Sequence, residues 1–190
     1  MYLHNAVEGH PELSNEEFLA KLTSVMEFYE EKRKEGKIRF YGMATWECFR
    51  TDKGNNMFLS LEKVIDIAKN IGGENHGFRF IQLPFNLMFD QAYLTKNHTI
   101  NGKTISFLEA AQMFNLGVFT SVPLLQGKLL TANIIPEFGY YSTAVRLLQF
   151  IRSTPGVTAP LIGHKLDSHV KENMEVMKIP PLLKLSLIHI

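Results

Sequence analysis

Several side chains in this sequence stand where chemistry could use them. His4 closes a short apolar run from Met1, and an imidazole at a strand end can donate a hydrogen bond to an oxygen on which charge is growing. Gln82 ends another such run and offers two donors and an acceptor. In the loop from Pro123 to Leu129, Gly127 permits close backbone approach and Lys128 supplies positive charge. Gly163, His164 and Lys165 precede a predicted helix, whose free N–H groups suit a phosphate. Each also has a plainer reading: a histidine merely ending a strand, a buried amide, a surface loop.

The elements that must position these residues follow from periodicity and caps. The first residues read as the end of a strand running into Asn5, Gly9 and Pro11. Ser14 with Glu17 forms a capping box, Leu13 and Phe18 a hydrophobic staple, and the helical stripe runs to Tyr29 before Gly36 stops it. A strand over residues 38–44 and a helix over 58–71, ended by Gly72-Gly73, come next. A third strand covers 78–83, and a long connection through Asn97 and Gly102 leads to a helix over 105–116 capped by Gly117. The fourth strand covers 118–122, and a helix over 143–152 follows the Tyr140-Tyr141-Ser142 turn. Residues 159–163 form the fifth strand, and Asp167 is expected to cap a last helix from Ser168.

Alternating strands and crossover helices imply an α/β fold with a covered parallel sheet. An open doubly wound sheet would satisfy five strands. Against it, no Gly-x-Gly-x-x-Gly follows the first strand, and that strand starts abruptly at Met1. The alternative is a partial barrel of about five β/α units, since a full eight-unit barrel takes about 250 residues and this chain has 190.

Composition narrows the partners. Lys and Arg total 20 against 19 Asp and Glu, a net charge of +1, so no strong field attracts nucleic acid or an acidic membrane surface. A small neutral or anionic ligand fits better. Cys48 is the only cysteine, which excludes an internal disulfide and a cysteine-based metal site and suits a reducing cytoplasm. No apolar stretch approaches the roughly 20 residues of a membrane span.

Tyr2-Leu3-His4-Asn5, Gly36-Lys37-Ile38-Arg39-Phe40-Tyr41-Gly42, Gln82-Leu83-Pro84-Phe85-Asn86, Pro123 to Leu129, and Gly163-His164-Lys165 with His169-Val170-Lys171-Glu172-Asn173 occur in one order. In that order the chain resembles the aldo-keto reductase family, from the fourth barrel strand through the last barrel helix. The resemblance implies a (β/α)8 barrel incomplete at its N-terminus, spanning residues 1–184. It also implies hydride transfer between NADP(H) and a small carbonyl substrate. His4 matches the family's catalytic histidine. Thr45, Gln82 and Ser121 match positions around the nicotinamide, and Pro123, Leu124, Gly127 and Lys128 match the loop over the pyrophosphate. Gly163, Lys165, His169, Glu172 and Asn173 match the adenosine end. Phe85 and Asn86 are read as structural, because turn asparagines bond their own backbone.

The chain departs from the family pattern at three places. Ala44 and Thr45 replace Ser and Asn, Ser121 replaces a tyrosine that stacks on nicotinamide, and His169 stands where an arginine often meets the 2′-phosphate. NAD(H) is therefore a second expected cofactor, and Trp46 a substitute aromatic face. The family's aspartate, tyrosine acid and lysine belong to the first three units, so the expected partner is the missing N-terminal half of the barrel, and the chain alone is expected to be inactive. The final Leu185-Ser186-Leu187-Ile188-His189-Ile190 reads as translated adapter DNA, a non-native tail over 185–190.

Overall fold

A computed structural model of the chain describes residues 1–132, 137 and 141–182, so Tyr140 and the tail at 185–190 lie outside the described residues. The first helix shows how local sequence becomes packing. Ser14 accepts from the Glu17 N–H at 3.3 Å while the Glu17 carboxylate accepts from the Ser14 N–H at 2.9 Å, and this box opens α1 (Asn15–Lys34). Phe18, Leu22, Met26 and Glu30 recur every four residues and form its buried stripe. Gly36, at φ 73°, ends it in the left-handed region that a Cβ disfavours.

Among the described residues, five strands form one parallel sheet: β1 (Tyr2–His4), β2 (Tyr41–Ala44), β3 (Phe78–Pro84), β6 (Gly117–Ser121) and β7 (Ala159–Pro160). Their order in the sheet is their order in the chain. A doubly wound sheet reverses its order at a switch point. An unreversed order with right-handed crossovers sends every helix to one face and curves the other into the inside of a barrel. The described residues form a partial (β/α)8 barrel of five strands.

Register separates the two faces. Leu3, Met43, Ile81 and Val118 pair in one row, and all four pack in the apolar core beneath the helices. The next row, His4, Ala44, Gln82, Phe119 and Ala159, projects to the opposite, concave face, because successive side chains alternate. Two glycines keep that face open to aromatic packing. A Cβ on Gly42 would lie 1.9 Å from the Phe80 carbonyl oxygen, and one on Gly117 would lie 2.8 Å from the Phe80 ring. Phe80 in turn meets Phe119 with ring centroids 5.7 Å apart.

Between these strands run α2 (Leu61–Gly72), α4 (Phe107–Met113) and α5 (Thr143–Ser153), capped by Ser60, Ser106 and Ser142. Several details differ from the sequence expectation: β2 begins at Tyr41 rather than at residue 38, and α2 at Leu61 rather than at residue 58. The connection after β3 contains a short helix α3 (Gln91–Leu94) and an antiparallel hairpin, β4 (His98–Ile100) and β5 (Lys103–Ile105). Helix α4 is shorter than residues 105–116, and Asn115 at φ 54°, not Gly117, takes the left-handed position after it. β7 keeps only two of the expected five residues. Asp167 is the first residue of α6 (Asp167–Met174) rather than its cap, since Leu166 stands at the cap position and brings no side-chain hydrogen bond.

At the N-terminal end of the sheet Glu30 is nearly buried and fully used. Its Oε1 accepts from the Gly77 N–H at 2.6 Å and the Tyr41 hydroxyl at 3.0 Å, and its Oε2 pairs with Arg33. Burial alone would raise its pKa, but the donors around it outweigh that and hold it below the usual carboxylate value. Glu30→Ala would leave Tyr41 and Gly77 without their acceptor and Arg33 without its ion-pair partner, and is expected to destabilise the fold by about 3 kcal/mol in urea titration, with Glu30→Gln intermediate.

The hairpin is anchored by His98, which is buried among Phe49, Phe58 and Phe107. Its Nε2 donates to the Phe49 carbonyl at 2.9 Å, leaving Nδ1 to accept from the Leu61 N–H at 3.4 Å. Desolvation pushes its pKa below 6.5, and burial does the same to His76. The unfolded chain therefore binds more protons, so stability is full above about pH 6.5 and falls as pH drops through the folded values. Unfolding midpoints are expected to fall between about pH 7 and 5, and His98→Asn to flatten that dependence while lowering the midpoint throughout.

Candidate active site

The C-terminal ends of the strands gather the polar side chains. His4 is exposed at the end of β1, and Ala44 and Gln82 follow it along the concave row. Two strand spacings place His4 and Gln82 about 10 Å apart with only the Ala44 methyl between them. A planar group could lie across that gap with a donor at each end.

The loops around this row are tied by side chains to backbone. Asn5, at φ 48°, donates its N–H to the Ala44 carbonyl at 2.7 Å. Glu8 Oε1 accepts from the N–H groups of Trp46 and Glu47, each at 2.7 Å, and of Cys48 at 3.4 Å, so one carboxylate holds the turn after β2. Asn86 is fully buried: its Oδ1 accepts from Met88 and Phe89 N–H at 2.8 and 3.0 Å, and its Nδ2 donates to the Val122 carbonyl at 2.9 Å. The turn chemistry expected of Asn86 is present, and the bond to Val122 adds a link between the loops after β3 and β6.

Thr45 does not join His4 and Gln82. It is buried on the core side with its hydroxyl beside the Cys48 thiol, which burial pushes well above its usual pKa and leaves inert as a nucleophile. Ser121 pairs in register with Pro84 and is half-buried at the end of β6. The chain then passes through Val122 at φ 47°, a strained position for a β-branched residue, and Leu125, Gln126 and Gly127 follow with positive φ inside the kinked 3-10 segment Leu125–Thr131. Pro123 is buried, Leu124 and Gly127 are half-buried and Lys128 is exposed.

Leu124 meets the far end of the chain. A cleft of about 320 Å³ is lined by Leu124 from this loop, Gly163, His169, Glu172 and Asn173 from β7 to α6, and Ser142 with Thr143 at the start of α5. Asn173 is buried, whereas Lys165 and Lys128 are exposed and outside the lining. The cleft has room for a group the size of a nucleoside, with the first-turn N–H groups of α5 at its wall and imidazole, carboxylate and amide groups around it.

Glu8 carries no sequence motif, and no periodic signal marks it. The one available cue is its place in a polar loop four residues after His4.

No protein-family model and no curated protein matches this chain. Among solved structures, it is similar to the holo form of aldo-keto reductase AKR11C1 from Bacillus halodurans, with a TM-score of 0.59 and 16% identity over 99% of this chain and 58% of that one. The thermostable aldo-keto reductase Tm1743 in complex with the inhibitor epalrestat gives a TM-score of 0.58 and 16% identity over 99% and 57%. Glycerol dehydrogenase AKR11B4 from Gluconobacter oxydans gives 0.61 and 16% over 88% and 53%. The chain thus spans between half and three-fifths of these proteins and shares the fold of the aldo-keto reductase barrel over that part.

Asn86→Asp would set a carboxylate oxygen against the Val122 carbonyl where an N–H now donates. It is expected to lower stability by about 2 kcal/mol, measured by urea unfolding, while Asn86→Ser loses less because a hydroxyl retains one of the bonds.

Proposed function

We propose that this chain is the cofactor-holding part of an NADP(H)-dependent carbonyl reductase of the aldo-keto reductase type, acting on an aldehyde or ketone in the cytoplasm. The observation that carries the reading is the cleft joining Leu124 to Gly163, His169, Glu172 and Asn173, residues picked from separate sequence motifs and found lining one cavity. The bound dinucleotide would supply the hydride. His4 would donate a hydrogen bond to the substrate oxygen, on the concave row beside Ala44. Gln82 would bind the carboxamide with its donor and acceptor, a task left to it because Thr45 points into the core. Gly127 and Lys128 would cover the pyrophosphate, with Pro123 and Ser121 setting the start of that loop. Gly163, Lys165, His169, Glu172 and Asn173 would bind the adenosine end.

His169 in place of an arginine weakens the case for a 2′-phosphate, so NAD(H) is the alternative cofactor. The general acid would come from the N-terminal half of the barrel, pairing with the edges of β1 and β7. A second reading, a nucleotide-binding member of the fold without catalysis, is favoured by Ala44 and by the burial of Thr45.

Calorimetric titration of the full chain with 2′,5′-ADP, 5′-AMP and NADPH tests the proposal. NADPH is expected to bind, with Asn173→Leu and His169→Glu each weakening it about tenfold. Absence of binding by all three nucleotides would overturn the reading, and binding without carbonyl reduction after the N-terminal half is supplied in trans would favour the second.

A further inference from the structure

A second polar cavity lies away from the adenosine cleft, between the loop after β2 and the segment leading into α3. It measures about 380 Å³ and is lined by Glu47, Arg50, Thr51, Asp52, Phe89 and Gln91, among others. Arg50 is its floor. Only 9% of this residue is exposed, so its charge is held largely out of water.

The guanidinium is rigidly mounted. Its carbon lies 4.9 Å from the Phe89 ring centroid, its Nε donates to the Trp46 carbonyl at 2.8 Å, and its Nη1 donates to Gln91 Oε1 at 2.6 Å. Among the described residues no carboxylate oxygen lies within 4.0 Å of it. Nη2 and the Gln91 amide nitrogen make no hydrogen bond there either, which leaves two donors for an anion, while Glu47 and Glu8 act on the guanidinium only from a distance.

The walls carry the opposite charge. Glu47 and Asp52 are exposed, and among the described residues their carboxylates have neither ion pair nor hydrogen-bond donor. A dianion such as phosphate would meet repulsion from both, and a simple cation would meet repulsion from Arg50. A ligand carrying one carboxylate and one ammonium answers every group, with the Thr51 hydroxyl as a further partner.

We propose that this cavity binds a small zwitterion of the amino-acid class, its carboxylate on Arg50 and Gln91 and its ammonium toward Glu47 and Asp52. The site is independent of the dinucleotide cleft and does not require the reductase reading.

Calorimetry of the full chain at low salt with glycine, β-alanine and 4-aminobutyrate varies the spacing between the two charges, and lactate and ethanolamine each lack one of them. At least one zwitterion is expected to bind about tenfold more tightly than both controls, and Arg50→Lys to weaken it by a similar factor. The Glu47→Gln, Asp52→Asn double variant is expected to bind lactate more tightly than the parent chain, a gain that misfolding cannot produce if Arg50→Lys fails to fold. Equal or weaker binding of all three zwitterions relative to the controls, or an unchanged ligand order in the double variant, would overturn the proposal.

Discussion

The parallel ladder in chain order is the constraint from which the site derives. Because each strand pairs with the next in a defined register, uniform beyond the bulge at Tyr41–Gly42, the rows Leu3–Met43–Ile81–Val118 and His4–Ala44–Gln82–Phe119 face opposite ways. A slip of one residue in β2 or β3 would exchange the rows, burying Gln82 beneath the helices and turning Met43 or Ile81 to the concave face. The close approach at Gly42 guards against such a slip, since any side chain there would strike the Phe80 carbonyl. A backbone contact thus sets which residues can meet a ligand.

The two ends of the sheet use polar groups for different ends. At the N-terminal end, Glu30 gathers Arg33, Tyr41 and Gly77 and locks α1 against the starts of β2 and β3. At the C-terminal end, Glu8 and Asn86 do not join elements to elements but loops to loops. That matches the general division of such barrels, where one face carries stability and the other carries working residues on connecting loops.

Long periodic elements were legible in the sequence, and short irregular ones were not. The α1 boundaries follow from Ser14, Glu17 and Gly36 because caps act through local geometry that the chain alone specifies. The hairpin at His98–Ile105 is not marked by periodicity, although Asn101-Gly102, both at positive φ, is a strong signal for a two-residue turn. Its flanking strands are three residues each, too short for alternation to stand out. For the site, motifs marked Leu124, Gly163, His169, Glu172 and Asn173, but that they line one cleft depends on how the loop after β6 turns toward α6. Thr45 illustrates the opposite case: the family resemblance puts it at a ligand contact, and strand alternation sends the side chain into the core. Glu8 carries its role through bonds to residues about 40 positions away, which no local pattern encodes.

Among the described residues, the loop after β6 concentrates the backbone strain beside the cleft that Leu124 lines. Val122, Leu125 and Gln126 all hold positive φ with full side chains, and only Gly127 adopts it freely. Each such residue costs free energy of order 1 kcal/mol or more, so the surroundings must over-determine the conformation. Part of that determination is visible in the bond from Asn86 to the Val122 carbonyl, in the burial of Pro123 and Leu129, and in the N–H groups of Leu125 and Gly127 donating to Val122 and Leu124. The strain is held by packing and hydrogen bonds rather than by glycine, so the backbone on either side of Leu124, which lines the cleft, is fixed by the chain's own contacts.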